Sequence, residues 1–433
     1  MENNYNPNSA PTTGTPGEQN QPPQNPPQNG QVPPRAPYGY NPYTGAPNPA
    51  PGSSVPPQNA GQPPYTQAPQ GQNPYQNPYS QQPYNRPPYP PQSPYAQNGY
   101  GGYPRNAYYT APQPDPLFGK KQEERRTVKS ISVVHGLCVL GFSVLALVVS
   151  FLLVRIPGFY RNYTGNTYFS NAFDALFSLF VIGAPFLIGY VLLRRKKRIG
   201  DLPLGTPYDG KAAALLVFMG LAVCIAGSYI TGIFGSIVES IFGITFTMPE
   251  DTTVLNNAPT ILLYLLGMAA IPALVEEFAI RGVVMQSLRR YGDKFAIFMS
   301  ALVFALMHGN MVQIPFAFIA GLMIGYAVTV TGSMWTGVAI HFLNNFVSVM
   351  MQVVQDNLPM SMQNLVLLGM IAAIFLAGII CTVVYFKTYA RVPLAKGESV
   401  LESREKNRAY IGTVPMVLAI LYLAVETINY IEF

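Results

Sequence analysis

Two adjacent glutamates and an arginine, Glu276, Glu277 and Arg281, follow the apolar run 261–275, which is long enough to lie in a lipid bilayer. Ionisable groups at that depth are costly, so they usually face a protein-lined cavity and serve a function. On a helix Glu277 and Arg281 are four residues apart on one face, so they can form an ion pair. Glu276 lies about 100° around the helix from its neighbour, which leaves its carboxylate free for chemistry.

Two of the three histidines, His308 and His341, lie in the apolar segments that follow. Phe304 precedes His308 by four residues and Asn345 follows His341 by four, so each pair shares a helical face. Three helices can therefore present a carboxylate, an imidazole, and an imidazole with an amide to a shared interior. These groups suit peptide hydrolysis, in which a base deprotonates water and fixed donors stabilise the oxyanion.

The three motifs Glu-Glu-x-x-x-Arg, Phe-x-x-x-His and His-x-x-x-Asn occur in this order on successive apolar segments. Together they resemble the CAAX protease and bacteriocin-processing family (CPBP, or Abi), which includes the type II CAAX prenyl endopeptidases. The resemblance covers roughly residues 210–355. It implies an α-helical intramembrane endopeptidase that cleaves a peptide or a membrane-anchored protein and whose active site opens toward the cytoplasmic side.

The resemblance also implies roles for six residues. Glu276 and His308 would activate water, and His341 with Asn345 would stabilise the oxyanion. Glu277 and Arg281 would support the site. In a zinc-dependent version of the same peptidase, Glu276, His308 and His341 would be the ligands, with water in the fourth position. The helix-borne HExxH zinc motif is absent. We therefore expect metal-independent glutamate catalysis, with Zn²⁺ as the alternative cofactor.

The chain around this site reads as an all-α polytopic transmembrane helical bundle of eight or nine spans. The predicted spans are 131–154, 173–193, 212–233, 259–286, 295–308, 314–330, 335–354, 365–386 and 414–430. Several approach the ~20 residues needed to cross a bilayer, and the fifth and sixth are shorter. Lys and Arg concentrate in the alternate segments 120–129, 194–211, 289–294 and 387–408. Because cytoplasmic loops are rich in these residues, this distribution predicts a multi-pass plasma-membrane protein with a cytoplasmic N-terminus.

Composition divides the chain into four parts. Residues 1–116 hold most of the 42 prolines and almost no aliphatic side chains, so we expect a disordered cytosolic tail. Its Pro- and Tyr-containing tracts are of a kind that can bind a protein partner. A basic hinge and two spans (117–210), the peptidase-like core (211–355) and the C-terminal spans (356–433) follow. The lipid bilayer is the expected environment, and no nucleic-acid partner is predicted.

Several residues have a structural alternative to a functional role. Glu277 and Arg281 can form a buried ion pair that only fixes helix packing. A membrane scaffold or bacteriocin-immunity protein that keeps the fold without hydrolysing anything is the corresponding alternative for the whole chain. Asn344 shares the face of His341 and can replace Asn345. His135, near the start of the first span, is expected at the membrane interface. Glu426 in the last span has no evident partner.

Overall fold

The computed structural model of the protein describes residues 115–249, 251, 253–389 and 393–433. The predicted disordered tail therefore lies, except for its last two residues, outside the described part. The α-helices are α1 (Phe118–Val154), α2 (Phe159–Gly165), α3 (Thr167–Arg195), α4 (Gly210–Phe242), α5 (Ala258–Leu265), α6 (Ile271–Glu277), α7 (Gln286–Leu288), α8 (Asp293–Leu306), α9 (Ile314–Thr331), α10 (Met334–Asn357), α11 (Met360–Thr388), α12 (Ser403–Ile411) and α13 (Val414–Ile428). Two short strands, β1 (Thr245–Phe246) and β2 (Ile431–Glu432), pair antiparallel. The predicted all-α class is confirmed.

Seven helical segments of the described chain are long and apolar enough to cross a membrane. They are α1, α3, α4, the continuous helix Ala258–Tyr291, α9, α10 and α11. An eighth span arises if α12 and α13, which are bent by 74° relative to each other, act as one. The predicted span 295–308 is too short to cross the membrane, because the corresponding helix α8 has only 14 residues and a span needs ~20. The polytopic helical bundle itself is confirmed.

The helix Ala258–Tyr291, called the central helix below, is not a regular α-helix. Two π-helical segments, Leu266–Ala270 and Phe278–Met285, lie on either side of α6, which ends with the two glutamates. Pro272 contributes to the first irregularity, because it has no N–H to donate to the carbonyl of Met268 four residues earlier. Such π-helical bulges occur frequently at functional sites. They alter the angular position of the glutamates relative to the rest of the helix.

The basic segments lie together at one end of the bundle, which we call the basic end. Hydrogen bonds join them: Arg198 donates to Thr127, Arg125 to Glu405, and Lys406 to the carbonyl of Tyr291. The opposite end, called the distal end, consists of residues 155–166, 243–249, 253–257, 355–364 and 429–433. The basic segments, which are separate in the sequence, thus come together at the basic end of the folded bundle.

The α8–α9 hairpin begins and ends at the basic end and turns back inside the bundle. With a rise of 1.5 Å per residue, the 14 residues of α8 carry its tip only ~21 Å from the basic end, short of the ~30 Å hydrocarbon thickness. Gly321 permits the close packing of the two helices, because a Cβ there would lie 2.9 Å from the Cβ of Ala301. The hairpin therefore places its turn, residues 307–313, within the bundle.

His135 is buried, contrary to the predicted interfacial position. Its side chain is 0% exposed. Its Nδ1 lies 2.9 Å from the Tyr410 hydroxyl and its Nε2 lies 3.1 Å from the Ser287 hydroxyl. The imidazole therefore joins α1 to α12 and to the central helix. Tyr410 is 275 positions away in sequence, so no local pattern indicated this partner.

The contact between α1 and α13 generates a prediction about stability. A Cβ at Gly136 would lie 2.5 Å from the backbone nitrogen of Met416, and backbone cannot move aside easily. We expect Gly136→Ala to lower the free energy of unfolding by about 1–3 kcal/mol, as overpacking does. Gly119→Ala is the matched control, since no atom lies within 4 Å of the added methyl group. Thermal unfolding in one detergent measures both, and a Gly136→Ala protein as stable as the control would contradict the packing.

Candidate active site

The predicted ion pair between Glu277 and Arg281 forms at the centre of the bundle. Both side chains are 0% exposed, and Arg281 Nη1 lies 2.7 Å from Glu277 Oε1. Arg281 Nη2 also donates to the carbonyl of Gly321 at 3.3 Å, and its guanidinium carbon lies 4.7 Å from the centroid of the Phe304 ring. Arg281 thus contacts α9 and α8 as well as its own helix.

His341 lies between the two carboxylates. Its Nδ1 is 3.0 Å from Glu277 Oε1, the oxygen that also binds Arg281. Because a carboxylate only accepts hydrogen bonds, Nδ1 carries the proton of this bond. Its Nε2 lies 3.9 Å from Glu276 Oε2 on the other side. The spacing of the adjacent glutamates therefore gives them different environments: Glu277 is sealed in the bundle and Glu276 is 20% exposed.

Gly337 provides the space that Glu277 occupies. A Cβ at this position would lie 2.8 Å from Glu277 Oε2 and 2.8 Å from a methyl carbon of Val328. Oε2 itself is buried without a hydrogen-bond partner in the described part of the chain. The sequence interpretation did not include Gly337. Its signal in the sequence is a small residue one helical turn before His341.

His308 lies in the turn of the α8–α9 hairpin. Its Nδ1 donates to the carbonyl of Phe304 at 2.9 Å, so in the neutral ring Nε2 carries the lone pair. The Phe304 ring meets His308 edge-on at 4.9 Å and His341 at 5.7 Å between ring centroids. Phe304 therefore forms an apolar wall that both imidazoles contact.

Glu426, for which the sequence indicates no partner, approaches the same turn from α13. A Cβ on Gly309, the residue after His308, would lie 3.2 Å from the Glu426 carboxyl carbon. Gly309 has a φ of 65°, a conformation that favours glycine. The turn thus combines a left-handed residue with a close contact to α13.

Asn345 has a structural contact that the sequence interpretation missed. Its Nδ2 donates to the carbonyl of Met268 at 3.0 Å, and its Oδ1 accepts from Asn344 Nδ2 at 3.1 Å. Met268 is the residue whose carbonyl Pro272 leaves without a regular helical donor. Asn345 therefore satisfies a carbonyl that proline frees, and the second N–H of its amide is left for another acceptor. A proline four residues after Met268 was the available signal.

One large cavity, with a volume of about 1820 Å³, joins the predicted residues. Glu276, His308, His341 and Asn345 line it together with Asn344, while Glu277 and Arg281 lie in the protein behind its wall. All six predicted site residues are thus brought together from the central helix, the α8–α9 turn and α10. The arrangement offers a carboxylate, two imidazoles and an amide to anything bound in the cavity.

Most of the residues that line the cavity lie toward the distal end of the bundle. Its wall on α4 runs from Cys224 to Ile241, the half of that helix farther from the basic end, and the loop residues Met248 and Asp251 lie at its other extreme. No residue of the four basic segments lines it. The cavity extends from Glu276 toward the distal end.

The geometry of the described residues gives the zinc alternative no support. In the described residues, no group of three or more His, Cys, Asp or Glu side chains is arranged to hold a metal ion. The predicted ligands Glu276, His308 and His341 share the cavity without forming such a group. His341 instead directs Nδ1 to Glu277 at 3.0 Å and faces Glu276 with Nε2. The donor geometry gives no support to a metallopeptidase.

Comparison with known proteins finds one family match, and it covers the part of the chain that forms the candidate site. Residues 258–347, from the start of the central helix to α10, match the family model described as Type II CAAX prenyl endopeptidase Rce1-like. The match therefore contains all six predicted site residues. No significant match is found among curated proteins or among solved structures.

The buried ion pair leads to a prediction about stability. Arg281→Met removes the cation and leaves the Glu277 carboxylate buried, so we expect the free energy of unfolding to fall by about 3–5 kcal/mol. The double variant Glu277→Gln/Arg281→Met removes both charges and should recover most of this loss. Arg195→Met, at an exposed position of the basic end, is the control. Unfolding in one detergent measures all four proteins, and wild-type stability of Arg281→Met would rule out the proposed charge compensation.

Proposed function

We propose that this chain, whose residues 258–347 form an Rce1-like type II CAAX prenyl endopeptidase domain, hydrolyses peptide bonds inside the membrane. One observation carries the proposal: of two adjacent glutamates, Glu277 is sealed in an ion pair, and Glu276 faces a cavity that also contains two imidazoles. A carboxylate with no arginine or lysine partner beside a histidine is suited to act as a general base. The substrate is a peptide or a membrane-anchored protein.

Water activation falls to Glu276 and His308. The Glu276 carboxylate takes a proton from water as the water oxygen attacks the carbonyl carbon of the substrate. Because His308 donates through Nδ1 to the Phe304 carbonyl, its Nε2 lone pair can accept the second water hydrogen and orient the water. The two glutamates differ in role because Glu277 is fully buried against Arg281 and His341, whereas Glu276 lines the cavity.

Oxyanion stabilisation falls to His341 and Asn345. The Nε2 edge of His341 faces Glu276 and the cavity, and an imidazolium ring carries an N–H on this nitrogen as well as on Nδ1. Such an N–H and the remaining Asn345 amide hydrogen can donate to the oxygen that becomes negative in the transition state.

The reaction is completed by return of the proton. When the oxyanion reforms a carbonyl, the carbon–nitrogen bond breaks and the departing nitrogen takes the proton held by Glu276. The products are a carboxylic acid and an amine, and the Glu276 carboxylate is regenerated. Phe304 contributes by keeping an apolar wall beside both imidazoles, which strengthens the electrostatic interactions of the site.

We predict that Glu276→Gln abolishes catalysis and leaves the fold intact, because the amide has nearly the same shape but cannot take the proton. A decrease in kcat of about 10²- to 10⁴-fold is expected for loss of a general base. Cleavage of an internally quenched peptide that the wild-type protein cuts provides the measurement. Glu239→Gln on the exposed part of α4 is the control, and both variants should unfold at the wild-type temperature. Equal turnover of Glu276→Gln and wild type would favour a scaffold without hydrolytic activity.

Metal dependence is tested on the same peptide. We expect turnover to survive exhaustive dialysis against a chelator, because Glu276 alone can take the proton from water. Elemental analysis of the active protein should find no stoichiometric zinc. If activity disappears on chelation and returns on addition of Zn²⁺, the metal-independent mechanism is wrong.

A further inference from the structure

A second, smaller pocket lies at the basic end, between α1 and α12. Its volume is about 580 Å³, and its charged lining residues are Arg125, Lys129, Arg404, Glu405 and Arg408. Four cations and one carboxylate give this pocket a net charge of +3. None of these residues lines the large cavity beside Glu276, so the pocket is separate from the candidate active site.

The four cations form two pairs of like charge that line the same space. Arg125 and Lys129 are four residues apart on α1, and Arg404 and Arg408 are four residues apart on α12. Each pair therefore shares a helical face, and like charges at this spacing destabilise a helix. Packing of α12 against α1 brings the two pairs to one pocket and adds repulsion between them. An anion bound in the pocket would compensate this repulsion.

The one carboxylate of the pocket is already occupied. Glu405 Oε1 accepts a hydrogen bond from Arg125 Nη2 at 2.7 Å. Glu405 Oε2 accepts one from the backbone N–H of Glu402 at the start of α12, at 3.2 Å. The other three cations have no ion-pair or side-chain hydrogen-bond partner in the described part of the chain. Positive charge in the pocket therefore remains uncompensated by the protein.

Exposed apolar surface lies next to the pocket, toward the middle of the bundle. α12 is bent by 74° relative to α13, and α13 packs along α1. The two helices are in close contact at Gly136, where an added Cβ would lie 2.5 Å from the backbone nitrogen of Met416. Leu137 and Val417, the next residues on the two helices, are 53% and 39% exposed. A ligand in the pocket can thus contact cations at one end and apolar helix surface at the other.

We propose that this pocket binds the phosphate group of an anionic phospholipid, whose acyl chains lie along the exposed apolar surface of α1 and α13. Basic pockets between membrane helices bind the head groups of such lipids. Guanidinium groups bind phosphate through two parallel hydrogen bonds, which suits the unpaired Arg404 and Arg408. The adjacent apolar surface favours a lipid over a free phosphate ion, because only the lipid has acyl chains to place there.

The chain's own N-terminal residues do not supply the missing negative charge. Residues 1–114 contain only two acidic side chains, Glu2 and Glu18, fewer than the three unpaired cations of the pocket. The anion therefore comes from outside the chain. The lipid site is also independent of the proposed peptidase activity, since it shares no residue with the candidate active site.

Ligand titration of the full-length protein in detergent tests the site. A ligand that binds only the folded protein stabilises it against unfolding, so thermal unfolding measures the affinity for phosphatidylglycerol, phosphatidylcholine and inorganic phosphate. We expect wild type to bind phosphatidylglycerol in preference to the other two. Arg404→Gln/Arg408→Gln should bind it about 30-fold more weakly, since each basic residue near an anionic lipid surface contributes about a five-fold factor.

Arg195→Gln/Lys196→Gln is the matched control, because it removes two exposed charges of the basic end that do not line the pocket. It should bind phosphatidylglycerol as wild type does. Lys129→Gln, with an expected loss of about five-fold, provides a second variant if the double variant does not fold. Equal losses in pocket variant and control would reduce the effect to nonspecific surface charge and overturn the proposal. Equal binding of both lipids, or tighter binding of inorganic phosphate than of phosphatidylglycerol, would overturn it as well.

Discussion

A negative charge buried in an apolar bundle must be compensated, and the compensation of Glu277 determines the arrangement of this site. One of its oxygens binds both Arg281 and His341. Arg281 in turn donates to the Gly321 carbonyl, so the central helix, α9 and α10 are joined through a single carboxylate. Removing any one partner leaves a buried group unsatisfied, which costs far more than an exposed ion pair contributes. The interaction therefore fixes helix positions as well as charge.

The same compensation gives the two neighbouring glutamates different environments. Since adjacent residues on a helix are about 100° apart, burial of Glu277 turns Glu276 toward another direction, and there it meets the cavity. His341 lies between them, with Nδ1 toward Glu277 and Nε2 toward Glu276. Glu277, which does not face the cavity, therefore orients the His341 ring, which does. In the proposed mechanism, a double glutamate achieves this with one helix, because Glu277 supports the structure and Glu276 acts as the base.

Local periodicity accounts for what the sequence predicted well. Spacings of four residues placed Glu277 with Arg281 and Phe304 with His308 on common faces, and the structure contains both contacts. The helical membrane class followed from the length of the apolar segments, which is also a local property of the sequence. The failure of α8 to span the membrane was harder to anticipate. An apolar helix of 14 residues can end inside a bundle when other helices surround the turn that follows it.

Contacts between distant segments explain what the sequence did not predict. The bond of Asn345 to the Met268 carbonyl joins residues 77 positions apart, and it follows from a missing proline N–H rather than from any motif. The sequence predicted an interfacial position for His135, since no residue near it in the sequence could be its partner. Its partner, Tyr410, lies in a different helix. The direction of the cavity depends on how several helices diverge, and periodicity within one helix contains no information about that. The uneven distribution of Lys and Arg along the chain can be related to the direction of the cavity only once the arrangement of the helices is known.

The protonation of His341 tests the central claim most directly, and the three histidines of the chain make it measurable. Nitrogen-15 NMR of the histidine-labelled protein in lipid, assigned with a His341→Gln variant, reports which ring nitrogen carries hydrogen. A proton on Nδ1 of His341 that shifts when Glu277 is replaced by glutamine is the predicted result. An unprotonated Nδ1, or a resonance indifferent to Glu277→Gln, would contradict the claim that Glu277 orients His341 toward Glu276.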